Sequence, residues 1–235
     1  MKGVILAGGH ATRLMPATKV TNKHLLDIGG KVMIEYPLGV LKNSGINEIL
    51  VITGATHMGD IVNYLGDGSE FGVDITYKVQ KEAGGIAQAV ALAKNFSNGE
   101  SIAVILGDNI FEEKFNLESN NEAKVFLKEV KDPERFGVPV FDGNKKIIAI
   151  EEKPKNPKSN YSVTGLYVYD NNVFKIIKNL KPSTRGELEI TDVNNEYLKK
   201  GKLSYEFVNG FWSDAGTKSS LQKVREWAAN RKEIL

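Results

Sequence analysis

The chain has 235 residues, 41% hydrophobic and 26% charged, ordinary globular proportions that allow a sizeable buried core. A formal net charge of +2, with basic residues scattered rather than blocked, argues against nucleic-acid or membrane-surface partners. The absence of cysteine excludes disulfides and thiolate chemistry, and with an opening apolar run too short for a signal core and no stretch approaching a membrane span, a cytoplasmic protein is expected.

In chain order, "GVILA" reads as a short buried strand. Val32 to Asn43 has helical spacing, with Pro37 tolerable only in the first turn or two. A strand at "EILVIT", a helix from about Gly59 to Leu65 and a strand at "VDITYKVQ" follow. The next helix starts at Ile86, where Ile86, Ala89, Val90 and Ala93 mark one buried face. The apolar run "SIAVIL" then ends at "GDN". Continuous apolar strands separated by helices imply a mostly parallel sheet covered on both faces, a doubly wound α/β layer.

The second half changes character. "VPVFDGNKKIIAIEE" is two strand-like runs around Asp142-Gly143, a hairpin signal, and "YSVTGLYVYD" is a further strand. A helix is expected near Leu188 to Lys199, then "LSYEFV" with Leu203, Tyr205 and Phe207 turned inward, then a helix from about Ser219 to Asn230 with Leu221, Val224 and Ala228 on one stripe. No linker separates the halves. The expected organisation is one domain over 1–235, with a part at about 1–107 and a smaller β-rich lobe at about 108–235.

Chemistry enters at the end of the first strand. In "GVILAGGHATRLMPATKVTNKHLL", Gly8 and Gly9 permit positive φ and close approach, so consecutive backbone N–H groups can form an anion nest. Arg13 adds a fork suited to phosphate and Lys23 a compact charge, each worth roughly 4 kcal/mol of gross attraction at about 4 Å and an effective dielectric of 20. A tight turn with two surface cations serves the same residues equally well. The stretch lacks the G-x-x-x-x-G-K-[ST] of a P-loop, and the second strand ends at Thr53 and Gly54 with no acid for a dinucleotide ribose.

Beyond this loop, "YKVQKEAGGIAQA", "ILGDNIF", "DPERFGV", "EEKPKNPKSNYSVTGLYVYD", "LKPSTRGELEITD" and "FWSDAGT" follow in that order. With "LAGGHATRLMPATKVTNKHLL" they resemble the sugar-nucleotide pyrophosphorylases, and within them the short-form glucose-1-phosphate thymidylyltransferases, from Met1 to about Leu221. The resemblance implies a Rossmann-like nucleotidyltransferase fold with a small sugar-binding lobe. It implies thymidylyl transfer from dTTP to glucose 1-phosphate, with UTP as the competing nucleotide and a non-catalytic nucleotide-sugar-binding regulator as the alternative from another class; a homo-oligomer is allowed.

By the same resemblance Asp108 and Asp214 hold one Mg²⁺, although either aspartate alone is an ordinary turn or cap residue. Leu6, Gly8, Gly9, Gln80, Gly85 and Asp108 are implied for the nucleotide. Gln80 has the donor and acceptor that a thymine or uracil edge needs. Gly137, Glu152, Lys153, Tyr167 and Arg185 are implied for the sugar phosphate, and Arg13, Lys23 and Lys153 for catalysis. In-line attack by an already ionised phosphate needs no covalent side chain and no general base, only positioning and charge stabilisation.

The chain departs from the family at Ala11, where a third glycine is usual, with His10 beside it, and at Asp27, where proline is common. Alanine at a positive φ would cost about 1–2 kcal/mol, and a hydrogen bond from His10 to the triphosphate would offset an altered cradle. The long form's C-terminal helical extension, which contributes to its allosteric site, has no counterpart here, so feedback regulation is not expected.

Overall fold

The structure, a computed structural model, describes residues 1–9, 12–118 and 122–231. His10 and Ala11 therefore lie outside the described residues. The strands are β1 (Lys2–Ala7), β2 (Asp27–Ile28), β3 (Lys31–Val32), β4 (Glu48–Gly54), β5 (Asp74–Gln80), β6 (Ile102–Leu106), β7 (Asn109–Phe111), β8 (Ala123–Glu129), β9 (Gly137–Phe141), β10 (Ile147–Glu152), β11 (Tyr161–Tyr169), β12 (Leu203–Phe207) and β13 (Trp212–Asp214). The helices are α1 (Glu35–Asn43), α2 (Met58–Leu65), α3 (Ile86–Ala91), α4 (Lys94–Ser97), α5 (Val173–Lys178), α6 (Ile190–Lys199) and α7 (Lys218–Ala229). They gather into two compact units whose segments interleave along the chain, rather than meeting once near residue 107.

The first unit comprises Met1–Ala83, Val104–Asn116 and the segment from Gly210. Its strands run in the order β6-β1-β4-β5, with β1-β4 and β4-β5 parallel. Val4, Ile5, Ile49, Val51 and Ile52 are fully buried, as uninterrupted apolar runs demand when both faces are covered. α1 begins at Glu35, three residues later than helical spacing suggests. Val32 is spent in the β2–β3 hairpin, where Asp27 accepts the Gly30 N–H at 3.0 Å, and Pro37 falls in the first helical turn, where its missing N–H costs nothing. α7 opens on a capping box between Thr217 and Ser220. Its stripe of Leu221, Val224 and Ala228 packs with Leu14, Ile28, Met33, Tyr36 and Ile110.

The second unit comprises Gly84–Ala103 and Leu117–Asn209. β9 and β10 form the expected antiparallel hairpin, β11 pairs with both β8 and β9, and β12 adds to β8 in parallel. β12 differs from expectation: its residues are half-buried and Phe207 is 39% exposed rather than inward. Its ring lies instead against Tyr161 and Tyr205, with centroids 4.9 and 5.4 Å away. α6 starts at Ile190, because Leu188 is held in a loop: its N–H donates to Gly84 and its carbonyl accepts from Ala87. Among the described residues no helix is long and apolar enough to cross a membrane.

Candidate active site

In the first unit the glycine turn follows β1. Gly9 has φ +94°, which favours glycine, whereas Gly8 has no positive φ, and a Cβ there would crowd the end of the Gln80 side chain, 3.0 Å from its Oε1. The Leu6 side chain is buried and its carbonyl accepts the Gly107 N–H, so this residue is engaged in the fold. Gly9, Asn22, Gly54, Thr56, His57 and Gln80 line a cavity of about 110 Å³. A flexible backbone turn and a side-chain amide thus share one concavity at the carboxyl ends of β1, β4 and β5, where open α/β sheets take ligands.

Beside this turn a short 3₁₀ helix carries Lys23 and His24. Asn22 caps it, its Oδ1 accepting the His24 backbone N–H at 2.9 Å. The same oxygen lies 2.6 Å from His24 Nδ1, so Nδ1 must carry the proton. His24 is buried against Gly107. Burial, assisted by the Lys23 charge and opposed by Asp108, lowers its pKa to about 3, and the ring is neutral. Lys23 reaches across to pair with the Asp108 carboxylate, both side chains being 14% exposed. Burial pushes the Asp108 carboxyl up, but Lys23 and a hydrogen bond from Asn109 outweigh it and bring its pKa down to about 2.

The two aspartates are joined by the antiparallel ladder of β13 and β7, which pairs Asp214 with Asn109, next to Asp108. The Ala215 N–H donates to the Asp108 carbonyl at 2.8 Å. A Cβ added to Gly216 would stand 3.1 Å from Asp214 Oδ2, 3.3 Å from Asp108 Oδ2 and 3.5 Å from an Arg13 Nη2. Two carboxylates and a guanidinium thus face one small space beside Gly216. Among the described residues no three His, Asp or Glu side chains gather as a metal site. A pair of hard oxygen donors fits magnesium, which takes one or two protein carboxylates and completes its shell with water and phosphate oxygens.

The second unit holds the residues expected for the sugar phosphate. Gly137 and Glu152 are register partners in the β9–β10 hairpin, and a Cβ on Gly137 would stand 3.1 Å from Thr191 Oγ1 and 3.7 Å from Glu152 Oε2. Lys153 takes a left-handed φ of +44°, and its ammonium lies 3.6 Å from Glu152 Oε1. Arg185 donates to Glu152 Oε1 at 3.2 Å, while Thr191 donates to Glu152 Oε2 at 2.5 Å. Gly137, Glu152, Lys153 and Arg185 are therefore brought together. Tyr167 is buried, its ring stacked on Tyr169 with centroids 5.9 Å apart.

Gly85 has φ +98° and a Cβ there would stand 2.5 Å from the Leu188 carbonyl, so glycine is obligatory. The neighbouring Gly84 N–H donates to Gln88 Oε1 at 3.1 Å. A larger groove of about 1080 Å³ beside α5, α6 and β10 contains none of the expected site residues.

Sequence reasoning did not single out Asn22, His24, Asn109, Trp212, Thr191 or Glu189. Trp212 donates its indole N–H to Asn109 Oδ1 at 2.8 Å, which turns the Asn109 amide nitrogen towards Asp108 Oδ1 at 3.0 Å. The only sequence signal was their position inside or beside the quoted motifs.

Residues 2–231 match the family model described as nucleotidyl transferase. A protein of Neisseria meningitidis named glucose-1-phosphate thymidylyltransferase is 45% identical, the match covering 100% of this chain and 84% of that protein. One of the same name from Mycobacterium tuberculosis is 42% identical over 94% of this chain and 80% of its own length. A solved Bacillus anthracis structure, described as a candidate glucose-1-phosphate thymidylyltransferase in complex with a sucrose, superposes with a TM-score of 0.94 at 54% identity, covering 99% of this chain and 97% of that one. A UDP-glucose pyrophosphorylase solved with UDP-glucose superposes at 0.84 with 23% identity, covering 97% of each chain, a likeness of fold.

Proposed function

The chain belongs to the nucleotidyl transferase family, and from that premise we propose that it transfers a thymidylyl group from dTTP to glucose 1-phosphate, releasing pyrophosphate and dTDP-glucose. One observation carries the reading: the carboxylates of Asp108 and Asp214 and the guanidinium of Arg13 face the same space at Gly216. Asp108 also pairs with Lys23, and Asp214 Oδ2 accepts the Gly216 N–H and the Ser220 hydroxyl at the start of α7; a triphosphate with its counter-ion accounts in addition for the arginine aimed at both.

In this reading the backbone turn at Gly8 and Gly9 and the Arg13 fork hold the leaving pyrophosphate. Lys23 neutralises Asp108 before substrate arrives and keeps further N–H donors for charge developing at the α-phosphate. Gln80 offers its amide to the base. Glu152 accepts sugar hydroxyls, and Lys153 and Arg185 orient the attacking phosphate. Asp108 and Asp214 hold magnesium, which when bound withdraws charge from the triphosphate. Both substrates are soluble anionic metabolites, which suits a cytoplasmic site of action.

The test is pyrophosphate release with glucose 1-phosphate and each of dTTP, UTP, ATP and GTP. The highest kcat/KM is expected with dTTP. UTP should follow within about 10–200-fold, because one methyl group in an apolar pocket is worth about 1–3 kcal/mol. Asp108→Asn and Asp214→Asn should each lower turnover at least about 100-fold while keeping the circular-dichroism spectrum. Tight dTTP binding without any turnover would instead assign a regulator.

A further inference from the structure

We infer that Glu189 is a positioning residue for the sugar-phosphate subsite, acting through Arg185; this rests on the proposed transfer to glucose 1-phosphate. Glu189 occupies the N-cap position of α6, yet its side chain makes no capping hydrogen bond. A carboxylate there ordinarily satisfies the open N–H groups of the first turn. This one is 7% exposed and spends both oxygens elsewhere. Oε1 accepts from Arg185 Nε at 3.2 Å and from the Ser183 hydroxyl at 2.7 Å, and Oε2 accepts from Arg185 Nη2 at 2.8 Å.

The guanidinium is thus gripped along its Nε–Nη2 edge, the geometry that fixes its plane. Ser183 Oγ accepts the Arg185 backbone N–H at 3.2 Å, so backbone and side chain of the arginine are tied to the same pair of residues. Nη2 also donates to Glu152 Oε1, which places the arginine beside the carboxylate assigned to sugar hydroxyls. Among the described residues no hydrogen bond engages Nη1, and the Arg185 side chain remains 40% exposed. The edge presented to an incoming phosphate is the one Glu189 leaves open. The Gly186 turn and the Ser183–Glu187 backbone bond close the loop between the two partners, so the grip is local and preformed.

Steady-state kinetics with both substrates varied tests this. Glu189→Gln, which keeps the shape but loses the charge, should raise the KM for glucose 1-phosphate about tenfold and leave the dTTP KM within about twofold. In an Arg185→Ala background the same change should add less than about twofold, because its effect passes through the arginine. Should Glu189→Gln fail to fold, Ser183→Ala tests the same grip from a half-buried position, with a rise of about three- to fivefold expected in the glucose 1-phosphate KM alone. An unchanged glucose 1-phosphate KM in a folded variant, equal rises for both substrates, or full multiplication of the Glu189 and Arg185 effects would overturn the assignment. A wild-type chain that releases no pyrophosphate with any triphosphate overturns the parent reading instead, and this one with it.

Discussion

His24 shows how a single buried ring can report on the site around it. Its pKa of about 3 lies below the unfolded value of 6.5, so between those pH values the unfolded chain binds a proton that the folded chain refuses. Stability must therefore fall as pH drops from about 6.5 towards 3. Urea titrations across that window should show a flatter profile for His24→Gln, and the His24 imidazole resonances of the folded protein should not titrate between pH 5 and 9. Asp108 adds to the acid loss lower down: its depressed pKa contributes stability above the unfolded value of 3.8 that disappears as pH falls through about 2. Trp212 makes a complementary point. Trp212→Phe keeps an aromatic ring against Phe111 but removes the indole donor to the buried Asn109 oxygen, at a cost of about 0.5–1.5 kcal/mol. Turnover should fall about tenfold as the amide loses its orientation towards Asp108, measured by pyrophosphate release beside a thermal melt.

At the scale of elements, Gly85 carries the sharpest prediction. Gly85→Ala must move the Leu188 carbonyl and tolerate φ +98°, so a loss above about 2 kcal/mol is expected in denaturant titration. Gly143→Ala, with nothing near its Cβ and no positive φ, should be close to neutral. Leu221→Ala in the α7 stripe should cost about 2–5 kcal/mol. Long or strongly patterned elements were the legible ones: β1, β4 and β6 through apolar runs, the β9–β10 hairpin through Asp142-Gly143, and α7 through its stripe. β7 and β13 have three residues each, too few for alternation to register, and their ladder is what sets Asp214 beside Asp108. The aspartates could thus be named from motif resemblance but not placed from pattern. Glu189 was illegible for another reason: the expected helix near Leu188 to Lys199 takes it in as an ordinary first-turn acid, and only coordinates reveal that it faces Arg185.

For the molecule as a whole, ligand binding should register as added stability. If dTTP with magnesium binds the folded chain alone, a concentration 100 times Kd contributes about 2.7 kcal/mol, or about 5–10 °C in melting temperature for a chain of this size. Chelation of the metal with EDTA should remove most of that shift, whereas glucose 1-phosphate without nucleotide should leave the EDTA result unchanged. The interleaving of the two units also has a consequence for how activity arises during synthesis. The first unit opens the chain, yet the segment carrying β13, Asp214 and α7 is translated after every residue of the second. A chain stopped short of Gly210 lacks Asp214, the β13 partner of β7 and the α7 stripe that packs on Leu14, Ile28 and Ile110. If Asp214 holds magnesium as proposed, a chain stopped before Gly210 should not gain thermal stability from dTTP with magnesium, whereas the chain that includes β13 should.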